Sequence, residues 1–532
     1  MSCGRNAAAT CHDVENKPAV SFHLLEQSDG QRTSWMAVRQ RQLRKPQHQR
    51  AHAWILGNSM ASLASAVHLI QETSIPASHV NVVESRTSAT DGLSTTGNAT
   101  IGYDYRAACL PIFCDGCTED LLSIIPSTSG PGKTLLDNLK CTPREIAPTR
   151  VIIKRGHKEQ VCNARGLRMG WKVRIKLALF LRHSEGALGR KTIRDCLDNE
   201  FFKSAFWAVW ASTAVEFRRC LRSFLHEILQ SSTDPAALNC CTYNAHEDII
   251  MPMTRFLQSQ GADLKFNSKT TLITMGNDTG CPHDVVIATL GSAISGSSSG
   301  TSTDPPPQEL LPAVDYFDEN WSLWLGLFPN LGDPYSFCTR VTESRAECFT
   351  ITSRQCDFFA KLTQENPEKI VSIVLPGSEW SISLFRPHCK TINGSSGDER
   401  IIWGHASSPG REGNYVKKPM LDCGGMEILA ELLQHFHAYS EDSLSHFTLI
   451  PRVAPRLAAP LLARNYKDRP KVVGNEAENL AVVGQFVEIP DETAATMDYS
   501  VRSAQLAVYR LMGLRKEPRT TRKASASDIL RW

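Results

Sequence analysis

The turn Gly57-Asn58-Ser59-Met60-Ala61-Ser62, with Glu84 standing 27 residues after Gly57, holds residue types from which a dinucleotide site is built. Such a site needs a tight turn that brings backbone amides near a diphosphate, a helix N-terminus with free N–H groups, and an acid beyond the next strand for ribose hydroxyls. Only the first of the usual glycines is present. Ser59, at the second position, adds a side chain where a phosphate comes closest. The residues alone therefore leave two readings open, a dinucleotide turn and a plain structural βαβ turn.

Other patterns offer weaker chemistry. Ser127 to Thr134 ends like a phosphate-binding loop, but Ser127 stands where that loop needs glycine, Pro131 removes an amide, and no apolar strand precedes it. Cys109, Cys114 and Cys117, with Cys141 as a fourth, have the spacing of an iron–sulfur ligand set. The competing reading is a loop with small buried thiols, and no metal site is assigned. Phe201-Phe202 with Phe206-Trp207 and Trp210, and Trp321 with Trp324, suit either an apolar tunnel for an acyl chain or ordinary core packing. Arg218-Arg219 and Lys417-Lys418 suit a carboxylate or a solvated face. The basic run from Arg515 to Lys523 suits an anionic membrane surface or a solvated tail.

The elements that must position these residues follow from patterning. Ala53-Trp54-Ile55-Leu56 reads as a strand meeting Gly57, and the spacing of Met60, Leu63, Ala64, Val67, Leu69 and Ile70 predicts a helix directly after it. Val80 to Val83 completes a βαβ unit that ends at Glu84. A helix is expected within Phe201 to Leu229, and another over Asp248 to Gln260 stopped by Gly261. The Ser-, Gly- and Pro-rich stretch Ser292 to Gln308 reads as a loop or crossover. Mixed strands are expected from Trp321 to Cys389, and Ala481 to Val483 as a late strand ending at Gly484.

Composition sets the outer bounds. A chain of 532 residues predicts two to four domains with ample core. At 42% hydrophobic and 21% charged it falls in the ordinary globular range. A net charge of +3 is too small for non-specific nucleic-acid binding, so no nucleic-acid partner is expected. Seventeen cysteines, an odd and scattered set, read as reduced thiols. No run approaches the ~18 apolar residues that span a bilayer. Residues 1 to 30 carry Asp13, Glu15, Glu26 and Asp29 in place of a signal-peptide core, so the cytosol is the expected compartment.

From about Arg44 to Lys516 the chain resembles the oleate hydratases, also called myosin-cross-reactive antigens. The stretches that carry the likeness include Ala53 to Ile70, Asp120 to Ser127, Phe201 to Leu221, Trp321 to Trp324, and Trp403 to Met420 with its REGNYVKKPM run. The densest is Asp468 to Val473 followed by Asn479 to Pro490 and Tyr499 to Gln505. The resemblance implies an α/β fold: a Rossmann-type FAD-binding domain with an interleaved mixed α+β substrate domain and a helical segment, commonly as a homodimer. It implies an unsaturated fatty acid as substrate, with water added to the cis-9 double bond of oleate to give a 10-hydroxy fatty acid. On this frame the segments are 1–50 as an extended basic N-terminal arm, 51–150 as the first FAD part, 151–240 as helical or substrate region, and 241–300 as the second FAD part. Then come 301–450 as the substrate-binding domain, 451–514 as the C-terminal FAD segment and 515–532 as a basic tail.

Carried over by position, the flavin contacts are Gly57, Ser59 and Ser62 at the phosphate turn, Glu84 on ribose, Arg106 in the flavin loop, and Gly484-Gln485 with Ser500. The catalytic positions do not carry over. Where the family has Arg-Gly-Gly-Arg and then its glutamate, this chain reads Arg106-Ala107-Ala108-Cys109-Leu110-Pro111-Ile112-Phe113, without a carboxylate. The aromatic segment Phe206 to Thr213 lacks the family's tyrosine. Asp115 and Glu119 are the nearest acids. Two further readings stay open: a relative that binds flavin or fatty acid without turnover, and a flavin-dependent oxidoreductase.

Overall fold

A computed structural model of the chain describes residues 19–26, 32–36, 51–57, 59–84, 95–104, 116–127, 130–141, 150–155, 158–162, 170–198, 201, 213–231, 245–266, 268–276, 284–307, 319–328, 330–353, 358, 370–375, 377–385, 400–474, 477–520 and 523–531. In chain order these form β1 (Ala19–Glu26), β2 (Arg32–Met36), β3 (Ala53–Leu56), α1 (Met60–Glu72), β4 (Val80–Val83), β5 (Thr96–Asn98), β6 (Gly102–Asp104), α2 (Gly116–Ile124), α3 (Leu135–Cys141), β7 (Arg150–Arg155) and β8 (Lys158–Cys162). Next come α4 (Trp171–Leu181), α5 (Glu185–Leu188), α6 (Ile193–Cys196), α7 (Ala214–Ser231), α8 (Met251–Gln260), β9 (Asp263–Lys265), β10 (Ser268–Gly276), β11 (Val285–Thr289), β12 (Ser298–Ser299) and α9 (Glu319–Leu327). The remainder holds α10 (Tyr335–Cys338), α11 (Val341–Ser344), β13 (Ala346–Ser353), β14 (Ile370–Leu375), β15 (Ile382–Phe385), β16 (Arg400–Ala406), α12 (Gly425–His435), α13 (Glu441–Ser445), β17 (Phe447–Ala454), β18 (Leu480–Val483), α14 (Met497–Leu511) and α15 (Ala526–Arg531).

The structure is mixed α/β, built on a parallel sheet in the order β18-β11-β3-β4-β9. β3, β4, β11 and β18 are buried along their whole length, which is why they are apolar except for Asn81 in β4 and Thr289 at the end of β11. α1 carries the crossover from β3 to β4 and packs on α14, where Ala61, Ala64, Ala504 and Ala507 are fully buried small residues that let helices approach closely. α8 ends as its sequence suggests, with Gly261 left-handed at φ 92°.

A second, mixed sheet of eight strands runs β12-β17-β13-β16-β15-β14-β7-β8. One face packs on α12 through Phe349, Ile351, Leu384, Ile402, Leu429 and Leu432. Gly404 is required there, because an added Cβ would lie 2.2 Å from the Phe349 ring. The REGNYVKKPM loop is fixed by α12. The amides of Asn414, Tyr415 and Val416 donate to the buried Glu431 carboxylate at 2.8, 2.9 and 2.7 Å. Burial opposes ionisation of Glu431, but His435 and these three amides hold it below the ordinary carboxylate range.

Several expectations are corrected. The stretch 1–50 is not simply an extended arm, since β1 pairs with β2 and with β10 in an antiparallel sheet. The alternation Val20-Ser21-Phe22-His23-Leu24 has the strand period, which the flanking basic run obscures. That run, Arg39 to Arg50, lies outside the described residues. Trp321 to Leu327 is helical, not a strand, as part of α9. The tail is not a solvated extension. Lys516 pairs with Glu72, Arg519 with Asp120 and Lys523 with Glu492, and α15 packs against α4 with Ile529 fully buried. These three cations meet the protein's own carboxylates.

Candidate functional site

The C-terminal ends of β3, β11 and β18 lie side by side, where an open parallel sheet forms its crevice. β3 steps to β4 on one side while β11 lies on the other, so this is the point where strand order reverses and open parallel sheets bind ligands. Gly57 leaves β3 at φ 103° and donates its amide to Val83 O at 2.8 Å. An added Cβ at Gly57 would lie 3.2 Å from both Thr289 Cβ and Asn320 Oδ1, so conformation and space both demand glycine. Gly484 leaves β18 at φ 104°.

Ser59 caps α1, accepting from the Ser62 amide at 3.2 Å. Its hydroxyl also meets Ser62 Oγ at 3.1 Å and Thr289 Oγ1 at 3.0 Å, and the last two lie 2.6 Å apart. The three hydroxyls form a closed cluster at the mouth of the crevice. α1 has no acidic residue in its first turn, and the amides of Met60 and Ala61 have no acceptor within the helix. The positive end of the helix is thus uncompensated. A diphosphate fits this chemistry: hydroxyl hydrogens and free amides replace the bare glycine backbone of the usual turn.

Of the other expected contacts, Glu84 sits buried at the end of β4, its amide donating to Lys265 O at 2.9 Å. Gln485 Nε2 is engaged with Ala494 O at 3.1 Å. Ser500 lies buried in the first turn of α14, but the hydroxyl that meets the Gly484 amide, at 3.0 Å, belongs to Ser503. Arg106 lies outside the described residues, as do Cys109, Cys114 and Asp115. Thr289 and Ser503 escape a sequence reading. Thr289 sits 232 positions from Gly57 and reaches it through the pairing of β11 with β3, while Ser503 reaches the Gly484 amide from α14.

Of the aromatic candidates, Phe201 is fully buried in the helical core, and Phe202, Phe206, Trp207 and Trp210 lie outside the described residues. Trp321 and Trp324 are fully buried, stacked at 5.6 Å and packed with Phe337 and Phe486, which makes them core and not a tunnel wall. The second face of the mixed sheet instead carries Trp403, Phe385, Ile401 and Cys348. His405 lies on it, stacked 5.8 Å from Phe385 and 5.5 Å from Trp403, and cross-strand from Cys348 and Ser383. His405 Nδ1 is buried without a hydrogen-bond partner, and burial lowers the imidazole to about 4, so it is neutral at physiological pH. The hairpin β5–β6 covers the neighbouring part of this face, Tyr103 N donating to Thr352 Oγ1 at 3.1 Å, and runs straight into residues 105–115.

The remaining motifs resolve into structure. The motif Ser127 to Thr134 follows a helix, α2, and its described residues, Ser127 and 130–134, connect to α3, with Ser127 N donating to Lys133 O at 2.8 Å and Thr134 capping α3 with Asp137. Cys117 is a buried free thiol whose burial pushes it up, and among the described residues no group of three or more His, Cys, Asp or Glu is placed to hold a metal ion. Glu119 lies 3.9 Å from Arg519. Arg219 does meet carboxylates, within a buried lattice. Glu216 faces Arg219, Arg464 and Arg469 at 3.4, 3.1 and 3.6 Å, while Glu488 pairs with Arg219 and with Arg464 at 3.1 Å. The lattice ties α7 to the segment following Gly484. Lys418 meets Glu427 at 2.6 Å.

The five-stranded parallel sheet, with Gly57, Ser59, Ser62 and Thr289 gathered at the C-terminal ends of its strands, defines a mixed α/β protein. The chain belongs to the MCRA family, whose model matches residues 50–281 and 276–509. It is similar to the oleate hydratase of Streptococcus pyogenes serotype M49 (strain NZ131), 27% identical over 514 residues, covering 86% of this chain and 85% of the relative. It is also similar to the linoleate hydratase of Lactiplantibacillus plantarum, 24% identical over 565 residues, covering 90% and 98%. Among solved structures, an oxidoreductase from Methanosarcina mazei aligns with a TM-score of 0.47 at 12% identity, covering 86% of this chain and 99% of that one. The PF1083 protein from Pyrococcus furiosus aligns at 0.45 and 13%, covering 87% and 98%. Likeness this distant carries no information about activity. No helix among the described residues is long and apolar enough to cross a membrane.

Proposed function

We propose that the protein is an FAD-binding fatty acid hydratase that adds water to the cis-9 double bond of oleate or a similar unsaturated fatty acid, giving a 10-hydroxy fatty acid. The observation that carries this reading is membership of the MCRA family, with both hydratase relatives aligned along 86% and 90% of the chain. In this reading 51–150, 241–300 and 451–514 build the cofactor domain, and 301–450 the substrate domain of each protomer of a homodimer. Gly57, Ser59, Ser62 and Thr289 receive the diphosphate, Glu84 accepts from ribose hydroxyls, and Gly484 with Gln485 borders the flavin. FAD, when bound, organises the site and is not consumed as a redox reagent.

Hydration needs an acid to protonate one alkene carbon and a group to orient the water that attacks the other, in a dry setting. Trp403, Phe385 and Ile401 supply an apolar wall for the chain, and the neutral His405 is the polar group on that wall suited to hold a water. Glu347 is fully buried, and burial reinforced by Asp422 raises it well above the carboxylate range, but alternation along β13 points it to the opposite face from Cys348 and His405. We assign the proton to none of the described residues. The test is mass spectrometry after incubating folded protein with oleate, with and without FAD. An FAD-dependent product heavier by one water supports hydration; flavin-loaded protein that gives no product is the inert relative, and bleaching of the flavin by substrate marks an oxidoreductase.

A further inference from the structure

We propose that α4 is a docking face for an anionic phospholipid surface. Trp171, Ile175 and Leu179 are 69%, 42% and 53% exposed, and their spacing of four residues aligns them in one stripe along the helix. The opposite side of α4, Val173, Leu177, Phe180 and Leu181, is buried in the helical core with α7. The stripe is therefore a second apolar face on a helix whose first is already satisfied. Water-facing helices do not need one.

Charge identifies the occupant. α4 carries Lys172, Arg174 and Lys176 and no acid. By helical angle Lys172 and Lys176 border the stripe on one side, and Arg182 and His183, both exposed, continue it past the C-terminus. Asp198 pairs with Lys176, Asp195 is taken up in capping α6 through Thr192, and Glu185 is committed to Arg219. α15 packs beside α4 and exposes Leu530 at 53%. A tryptophan and two aliphatics flanked by cations, lying flat on a rigid body, is the pattern of a helix that sits in the headgroup boundary of a negatively charged leaflet. The contact expected of the basic tail thus belongs to the helix on which the tail packs.

The experiment is co-sedimentation of the full chain with vesicles of phosphatidylcholine alone or mixed with phosphatidylglycerol, free of fatty acid so that the outcome is independent of hydratase activity. Binding to the anionic vesicles is expected, weakening as salt rises and at least tenfold weaker in the I175D/L179D double variant, whose side chains already face water and leave folding intact by circular dichroism. Lys172→Glu is expected to weaken binding more on anionic than on neutral vesicles. Absence of binding at low salt, or equal binding by the double variant, overturns the proposal. So does sedimentation velocity showing that the double variant dissociates an oligomer of a parent that ignores vesicles, because the occupant is then a second copy.

Discussion

Glu216→Gln tests whether the buried lattice is held by charge balance. The carboxylate is fully buried and faces three guanidiniums, with Thr493 Oγ1 at 3.1 Å and the Ala494 amide at 3.3 Å completing its shell. Burial opposes its ionisation, yet Arg219, Arg464 and Arg469 hold it below the ordinary carboxylate range. Gln preserves the shape but leaves Arg219, Arg464 and Arg469 with only Glu488 and Glu185 as counter-charges. Removing one partner from a buried ion pair costs about 3–5 kcal/mol, because the other charge stays buried and uncompensated. Equilibrium urea unfolding followed by tryptophan fluorescence reads this as a lower midpoint at unchanged slope. Pairing the change with Arg464→Met restores neutrality and is expected to recover part of the loss, a coupling that a double-mutant cycle isolates. A loss below about 1 kcal/mol for Glu216→Gln alone refutes the charge-balance reasoning.

Three further outcomes are expected. His68 on α1 is buried with both ring nitrogens unpartnered, and burial lowers it to about 4. The unfolded state then binds the proton more readily, so stability falls as pH drops from about 6.5 toward 4, by up to about 3 kcal/mol, and thermal melts of His68→Leu across that range should show a shallower acid loss. Gly404→Ala forces a Cβ into the Phe349 ring and should cost about 1–3 kcal/mol or more in the same unfolding assay. Truncation after Leu514 removes Ile529 and Ala524 from the helical core along with the ion pairs of Lys516, Arg519 and Lys523, and should lower stability by about 2–4 kcal/mol, read by calorimetry.

What was legible in the sequence was local. The β3–α1–β4 unit shows itself because an apolar run, a glycine and a helical period follow one another within one stretch, and Gly261 marks a helix end for the same reason. The hydroxyl cluster was only half legible: Ser59 and Ser62 lie in the turn, whereas Thr289 arrives through the pairing of β11 with β3. Trp321 to Leu327 misleads because Trp321, Leu323, Leu325 and Leu327 recur at every second position, the strand period, although the buried residues Trp321, Leu323, Trp324 and Leu327 share one side of a helix. Arg218-Arg219 looked like a surface pair, since nothing nearby in sequence announces Glu488, Arg464 or Arg469. The REGNYVKKPM run was conspicuous for a structural reason, three amides folded around Glu431. The face with Trp403, Phe385 and His405 depends on strand register, which residue spacing along one strand does not encode.

The central claim is that this chain builds a flavin crevice from hydroxyls where the usual turn has glycines. Titrating folded, flavin-free protein with FAD, following fluorescence quenching, tests it most directly. Saturable uptake of one FAD per chain, lost in a Gly57→Val variant that keeps its circular dichroism, is the result the account predicts. No uptake by the folded parent, or equal uptake by the Gly57→Val variant, would contradict it.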